Sequence, residues 1–250
     1  MSSNIITPDG YYLEDYQPNE DLGDSGELFL STNKADPGIQ YIIKYAYSDL
    51  ACNEFMYHKI AAALGMYTPE VKFIADIPDC ETIGIRFIPN AVEFDYDNGN
   101  EAQKRDYYAF KTLYVILNEE DSEEYHIDGQ GRLFKLDNAA AFNIQDLFIL
   151  ELYGKAPLNT FNSRLENTYY LYYGEILKAL TDRHGQTAKE ACLETFERFA
   201  EFDETVLEEA YDTLAMFYPQ RLVEYFREFI RIRKAECRRF LCEMKEKSAL

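Results

Sequence analysis

The apolar residues of this chain change period near residue 90, and that change sets what the chain can fold into. Up to Pro89-Asn90 they come mostly in short β-branched and aromatic blocks. These are Glu27-Leu28-Phe29-Leu30, Gln40-Tyr41-Ile42-Ile43-Lys44-Tyr45, Val71-Lys72-Phe73-Ile74 and Thr82-Ile83-Gly84-Ile85-Arg86-Phe87-Ile88. Each reads as a strand. The turn signal Lys34-Ala35-Asp36-Pro37-Gly38 makes a hairpin of the first two. One helix interrupts the series. Ser48 or Asp49 can cap it, and Phe55, Met56, Ile60, Ala63 and Leu64 share one face. Gly65 ends it at the C′ position.

After residue 90 the spacing turns helical, with one exception. Ala102 to Leu117 is a helix whose buried stripe is Phe110, Leu113, Tyr114 and Leu117. Glu124–Ile127 and Arg132–Leu136, joined by the turn Asp128-Gly129-Gln130-Gly131, form a second, tighter hairpin. Beyond Ile144 everything reads as helix. The last one carries Leu222, Phe226, Phe229, Ile230, Cys237, Phe240, Leu241 and Met244 on one face. The expected fold is therefore α+β and two-lobed. Residues 1–90 form a small antiparallel-sheet lobe with one helix, and residues 91–250 a larger, mainly helical lobe with one hairpin. With 250 residues, 47% hydrophobic and 15% aromatic, the chain can bury a sizeable core.

Charge narrows the partners. The net charge of -20 repels phosphate backbones and anionic lipid, so neither nucleic acid nor a membrane surface is expected as a partner. From Arg221 to Lys247 the balance reverses, with nine Lys/Arg against five Glu. This basic helix can complement the acidic body or dock a partner, and the first is favoured. The cysteines Cys52, Cys80, Cys192, Cys237 and Cys242 are odd in number and show no CxxC spacing. That points to neither a disulfide framework nor a zinc site. No apolar run approaches the roughly 18 residues of a membrane span. Met1 to Tyr12 holds no apolar signal core. A reducing cytoplasm is the expected setting, with export without a signal, as for an injected effector, as the alternative.

Four places could carry chemistry. Lys44 ends an apolar strand, and Glu54 follows ten residues on, inside the next helix. A strand lysine is usually solvated, but one paired with a helix glutamate across a cleft can hold nucleotide phosphates. Asp137 follows the strand Leu133–Leu136 and precedes small residues. It either caps the next turn or offers Mg²⁺ a carboxylate in open space. Asp121 lies in an acidic loop between helix and hairpin, where a carboxylate is either solvated or able to accept the proton of a hydroxyl nucleophile. Gly23 and Gly26, in Asp21-Leu22-Gly23-Asp24-Ser25-Gly26-Glu27, could cover phosphates through backbone N–H groups, although the Walker spacing and lysine are missing. The histidines, His58, His126 and His184, show no metal-ligand spacing.

Taken in order, these segments resemble the HipA-like kinases, relatives of the phosphoinositide kinases within the protein-kinase-like fold. The resemblance runs from Glu20 to Asn143. It is carried by Tyr41-Ile42-Ile43-Lys44, by Asn53-Glu54-Phe55 with Ala61-Ala62-Ala63-Leu64-Gly65, by Gly84-Ile85-Arg86-Phe87-Ile88-Pro89 and by Leu133 to Phe142. It implies phosphoryl transfer from ATP with Mg²⁺ to a serine or threonine of a protein. Lys44 would hold the phosphates, Glu54 would position Lys44, Asp137 would bind the metal and Asp121 would act on the acceptor hydroxyl. The catalytic loop departs from the family's Asp-Arg-His-x-x-Asn: the stretch in register is Asp121-Ser122-Glu123-Glu124-Tyr125-His126. His126 thus stands where the metal-binding Asn is expected. An imidazole there would favour Mn²⁺ over Mg²⁺, a preference read directly from activity with either ion. The departure also keeps a pseudokinase open, a binding module with the fold but no transfer. A non-kinase helical interaction protein is the third reading.

Overall fold

The computed structural model describes residues 4–7, 10–15, 28–45, 48–75, 82–119, 124–138, 140–142, 165, 170–181 and 184–248. The strands are β1 (Ile5–Ile6), β2 (Tyr11–Asp15), β3 (Leu28–Asn33), β4 (Gln40–Tyr45), β5 (Val71–Ile74), β6 (Thr82–Arg86), β7 (Val92–Glu93), β8 (Glu124–Ile127) and β9 (Leu133–Leu136). The helices are α1 (Ser48–Ala63), α2 (Glu101–Ile116), α3 (Tyr170–Leu180), α4 (Gln186–Glu201), α5 (Glu208–Phe217) and α6 (Gln220–Ser248), with a 3₁₀ turn at Glu204–Leu207.

The first sheet runs β1-β5-β6-β4-β3-β2. It is antiparallel except where β1 lies parallel to β5, so the expected antiparallel sheet is in fact mixed. The turn between β3 and β4 forms because Asn33 Oδ1 accepts from the backbone N–H groups of Ala35 and Asp36, at 2.8 and 3.0 Å. Gly65, at φ 77°, closes α1. Its N–H bonds Ala62 O and that of Met66 bonds Ala61 O, a Schellman motif. The edge strands β1 and β2 escape a sequence reading. The first is two residues long, and the second is Tyr-Tyr-Leu-Glu-Asp, with acidic residues that strands disfavour. Gly84 permits β1 its place: a Cβ there would lie 3.1 Å from Ile6 Cδ1.

Strand alternation gives this sheet two faces. Tyr41 and Ile43 join Ile6 and Ile74 in a small outer cluster. On the other face Val71, Phe73, Ile83 and Ile85 pack with Phe55, Met56 and Ile60 of α1. That core is continuous with the helical lobe. Phe73 stacks on Phe217 of α5 at 4.6 Å and meets Phe55 at 4.8 Å. Asn4, just before β1, donates to Thr213 of α5 and accepts from Lys59 of α1.

In the helical lobe α2 starts in a capping box, Asn100 with Gln103. It packs on α4, which packs on α6. The hairpin β8–β9 is in place, and β7 adds a third strand in the order β7-β8-β9. Along α6, Phe226, Phe229, Ile230, Cys237, Phe240 and Leu241 are buried. Its cations are largely answered within the chain: Arg227 by Glu208 at 2.6 Å, Lys234 by Glu204 at 2.9 Å, and Arg239 by Glu236 and Glu243. Among the described residues no helix is long and apolar enough to cross a membrane.

Phe73 is the ring at which sheet, α1 and α5 meet, and it is fully buried. Phe73→Ala should lower stability by about 3–5 kcal/mol, measured by urea unfolding. A loss below about 1 kcal/mol would show that the two lobes do not share this core.

Candidate functional site

Lys44 lies on the core face of the first sheet. Register fixes this: Ile42 pairs with Ile85 and Lys44 with Ile83, and directly opposed residues share a face. Leu30 is opposite Ile42, so Leu30, Ile42 and Ile85 line an apolar strip leading to the ammonium. Lys44 Nζ sits 2.7 Å from Asp137 Oδ1, across 93 residues of sequence. The pair is reachable from solvent, with side chains 17% and 30% exposed. Burial alone would push Lys44 down. Glu54, Asp137 and Glu124 outweigh it and hold the ammonium above the usual lysine range.

Behind this pair is a buried polar network. Glu54 is 1% exposed, and its carboxylate accepts from Asn138 N–H at 2.7 Å and from Asn138 Nδ2 at 3.2 Å. His58, one helical turn on, is 2.9 Å from Glu54 through Nε2, and its Nδ1 meets Thr68 Oγ1. Nε2–H donates to the Glu54 carboxylate, and the Thr68 hydroxyl, which can donate or accept, answers Nδ1. Lys135 is fully buried. Its ammonium donates to Asn138 Oδ1 at 2.7 Å and to the carbonyls of Asp137 and Leu136 at 2.9 and 3.3 Å. Desolvation would raise the Glu54 carboxyl, but His58, Lys44 and the Asn138 N–H bring it down to about 2.

The structure brings Lys44, Glu54 and Asp137 to one region, but not in the pairing read from the sequence. Lys44 takes Asp137 as its ion-pair partner, whereas Glu54 acts on Lys44 through its field and bonds His58 and Asn138 directly. His126 is not brought to Asp137. It pairs with Phe134 in the β8–β9 ladder and its ring stacks on Phe134 at 5.7 Å. Three ladder positions, about 10 Å, separate it from the level of Asp137. Its pKa is lowered by burial, partly opposed by Glu93. Asp121, Gly23 and Gly26 lie outside the described residues. His58, Lys135 and Asn138 join the site only through the fold. The Glu54-x-x-x-His58 spacing, one turn of one helix face, was the signal for the first.

No protein-family profile matches the chain, and no curated protein matches it. Solved structures do. The proinflammatory kinase CtkA of Helicobacter pylori superposes with a TM-score of 0.60 at 11% identity, over 87% of this chain and 95% of that one. HipA from the Shewanella oneidensis toxin–antitoxin complex with HipB and operator DNA superposes with a TM-score of 0.51 at 12% identity, over 94% of this chain and 68% of that one. The likeness shows the fold alone: an α+β chain folded like these two structures.

Glu54 gives the site a pH signature. Its folded pKa of about 2 is below its ordinary 4.5, so its stabilisation is complete above 4.5 and is lost as pH falls toward 2. Urea unfolding of wild type and Glu54→Gln should therefore show a stability gap that narrows over that window. Asp128, also lowered to about 2, titrates in both proteins and cancels in the comparison. A gap independent of pH would show that Glu54 is not ionised in the fold.

Proposed function

We propose that this chain, with the fold of HipA-like kinases, binds ATP between its lobes and transfers the terminal phosphoryl group to a serine or threonine of a protein. One observation carries the reading: Lys44 of the sheet and Asp137 of the hairpin meet at 2.7 Å on a solvent-reachable face, beside the apolar strip Leu30, Ile42 and Ile85. A cation and a carboxylate that pair with each other in this way are suited to separate onto phosphate and metal.

The residues present fit a divalent ion. The partner of Asp137 is already a cation, and its oxygens are hard donors. Among the described residues no group of three or more His, Cys, Asp or Glu gathers to hold a metal. Mg²⁺ needs no such cage, since one or two carboxylates with phosphate oxygens and water suffice. Asp137 would hold the ion, with Mn²⁺ as the substitute, and the ion would supply neutralisation of phosphate charge. Lys44 binds the phosphates as a point charge. The buried Glu54 keeps Lys44 charged and fastens Asn138 beside Asp137. Gly23 and Gly26 are assigned to cover the phosphates. Asp121 is assigned the acceptor hydroxyl and takes its proton. A protein acceptor suits a chain of charge -20 better than nucleic acid or lipid. The reading places the protein in the cytoplasm, where ATP is supplied.

A second reading, a pseudokinase that binds without transfer, is favoured by the placement of His126. The residue in register with the family's metal-binding Asn lies against Phe134 rather than at Asp137.

Thermal unfolding with ATP and Mg²⁺ tests the nucleotide site. At 100 times the dissociation constant the ligand should add about 2.7 kcal/mol, and Asp137→Ala should abolish the metal-dependent part without loss of fold. An unchanged shift in that variant removes Asp137 from the site. Transfer of labelled γ-phosphate then separates the two readings, because a shift without transfer is the pseudokinase.

A further inference from the structure

Lys135 is a lysine with no access to water, on the β9 strand immediately before Asp137 and its neighbours. Burying an ammonium is costly unless it is hydrogen-bonded. Here it donates to Leu136 O, Asp137 O and Asn138 Oδ1, on three successive residues. The rings of Tyr57 and Tyr114 flank it with centroids 5.5 and 5.3 Å away. Asp137 meanwhile has φ 52°, the left-handed region that a residue with a Cβ disfavours. Two consecutive carbonyls can reach one cation only when the chain turns between them, and Asp137 is the residue that turns. On the far side Asn138 is fixed by its N–H to Glu54.

We propose that Lys135 is a positioning residue: its buried ammonium holds the left-handed turn at Asp137 and so keeps that carboxylate on Lys44. The two lysines divide the work around one aspartate. Lys44 meets the side chain from the sheet, and Lys135 grips the backbone from inside the hairpin. Without Lys135 the Leu136 and Asp137 carbonyls lose their shared donor, the turn relaxes, and the carboxylate leaves Lys44.

The proposal deepens the nucleotide reading and gives Asp137 its meaning from it, but the test runs on the protein without nucleotide. Lys44 is labelled with the N-hydroxysuccinimide ester of acetic acid, and its acetylation rate is followed by peptide mass spectrometry. Asp137→Asn should accelerate Lys44 labelling several-fold by removing its ion-pair partner. Lys135→Met should give a comparable acceleration, and the double variant should go no further than Asp137→Asn alone, because both act through one carboxylate. Circular dichroism confirms that each variant is folded. Should Lys135→Met fail to fold, Lys135→Gln is read in its place, since its shorter neutral side chain cannot span the three acceptors. Wild-type protection of Lys44 in a folded Lys135 variant overturns the proposal, and so does full additivity in the double variant. Absence of an ATP shift in wild type would defeat the nucleotide reading and leave this result standing on its own.

Discussion

A carboxylate in the middle of a protein core cannot stay charged alone, and the arrangement of this molecule follows from how Glu54 is answered. It sits on α1 among Phe55, Met56 and Ile60, beneath the sheet. Burial opposes its charge, so hydrogen-bond donors must gather around it. His58 supplies one from the same helix face, and Asn138 supplies two from the hairpin of the other lobe. A single buried charge thus makes the sheet lobe and the hairpin one polar structure. Lys44 and Asp137 lie at its solvent-facing end, where the same field that favours the ammonium keeps it poised against a carboxylate.

Much of this fold was legible because local rules and tertiary structure agree. The β3–β4 turn, the end of α1 at Gly65, and the β8–β9 hairpin follow from turn and cap chemistry carried by a few residues each. The edge strands were not legible. β1 has two residues and is held by its place beside β5 and under Gly84, which no local pattern encodes. β7 is likewise two residues, and both are exposed.

The site was legible as a set of residues and not as a set of contacts. Lys44, Glu54 and Asp137 stand out because a charged residue beside a buried strand or helix face needs a reason. Which of them touch depends on the register between β4, α1 and the turn after β9. A change of one position along β9 would exchange the faces of Lys135 and Phe134. Lys135 itself reads as an ordinary solvated lysine until its face is known to be the core. His126 shows the converse. Its place in the motif order suggested a ligand, but strand alternation sends its ring onto Phe134.

The bond between Asn4 and Thr213 spans 209 residues. Asn4 is therefore synthesised long before its partner. β1 and β5 are both made well before α5, so the junction of sheet and helical lobe has no α5 to close against until Glu208–Phe217 is synthesised. Long loops must be closed before such distant contacts contribute, so this closure belongs late in folding. Until then the Phe73 face of the sheet has α1 against it but not Phe217, and the nascent chain carries an apolar surface that α5 has yet to cover.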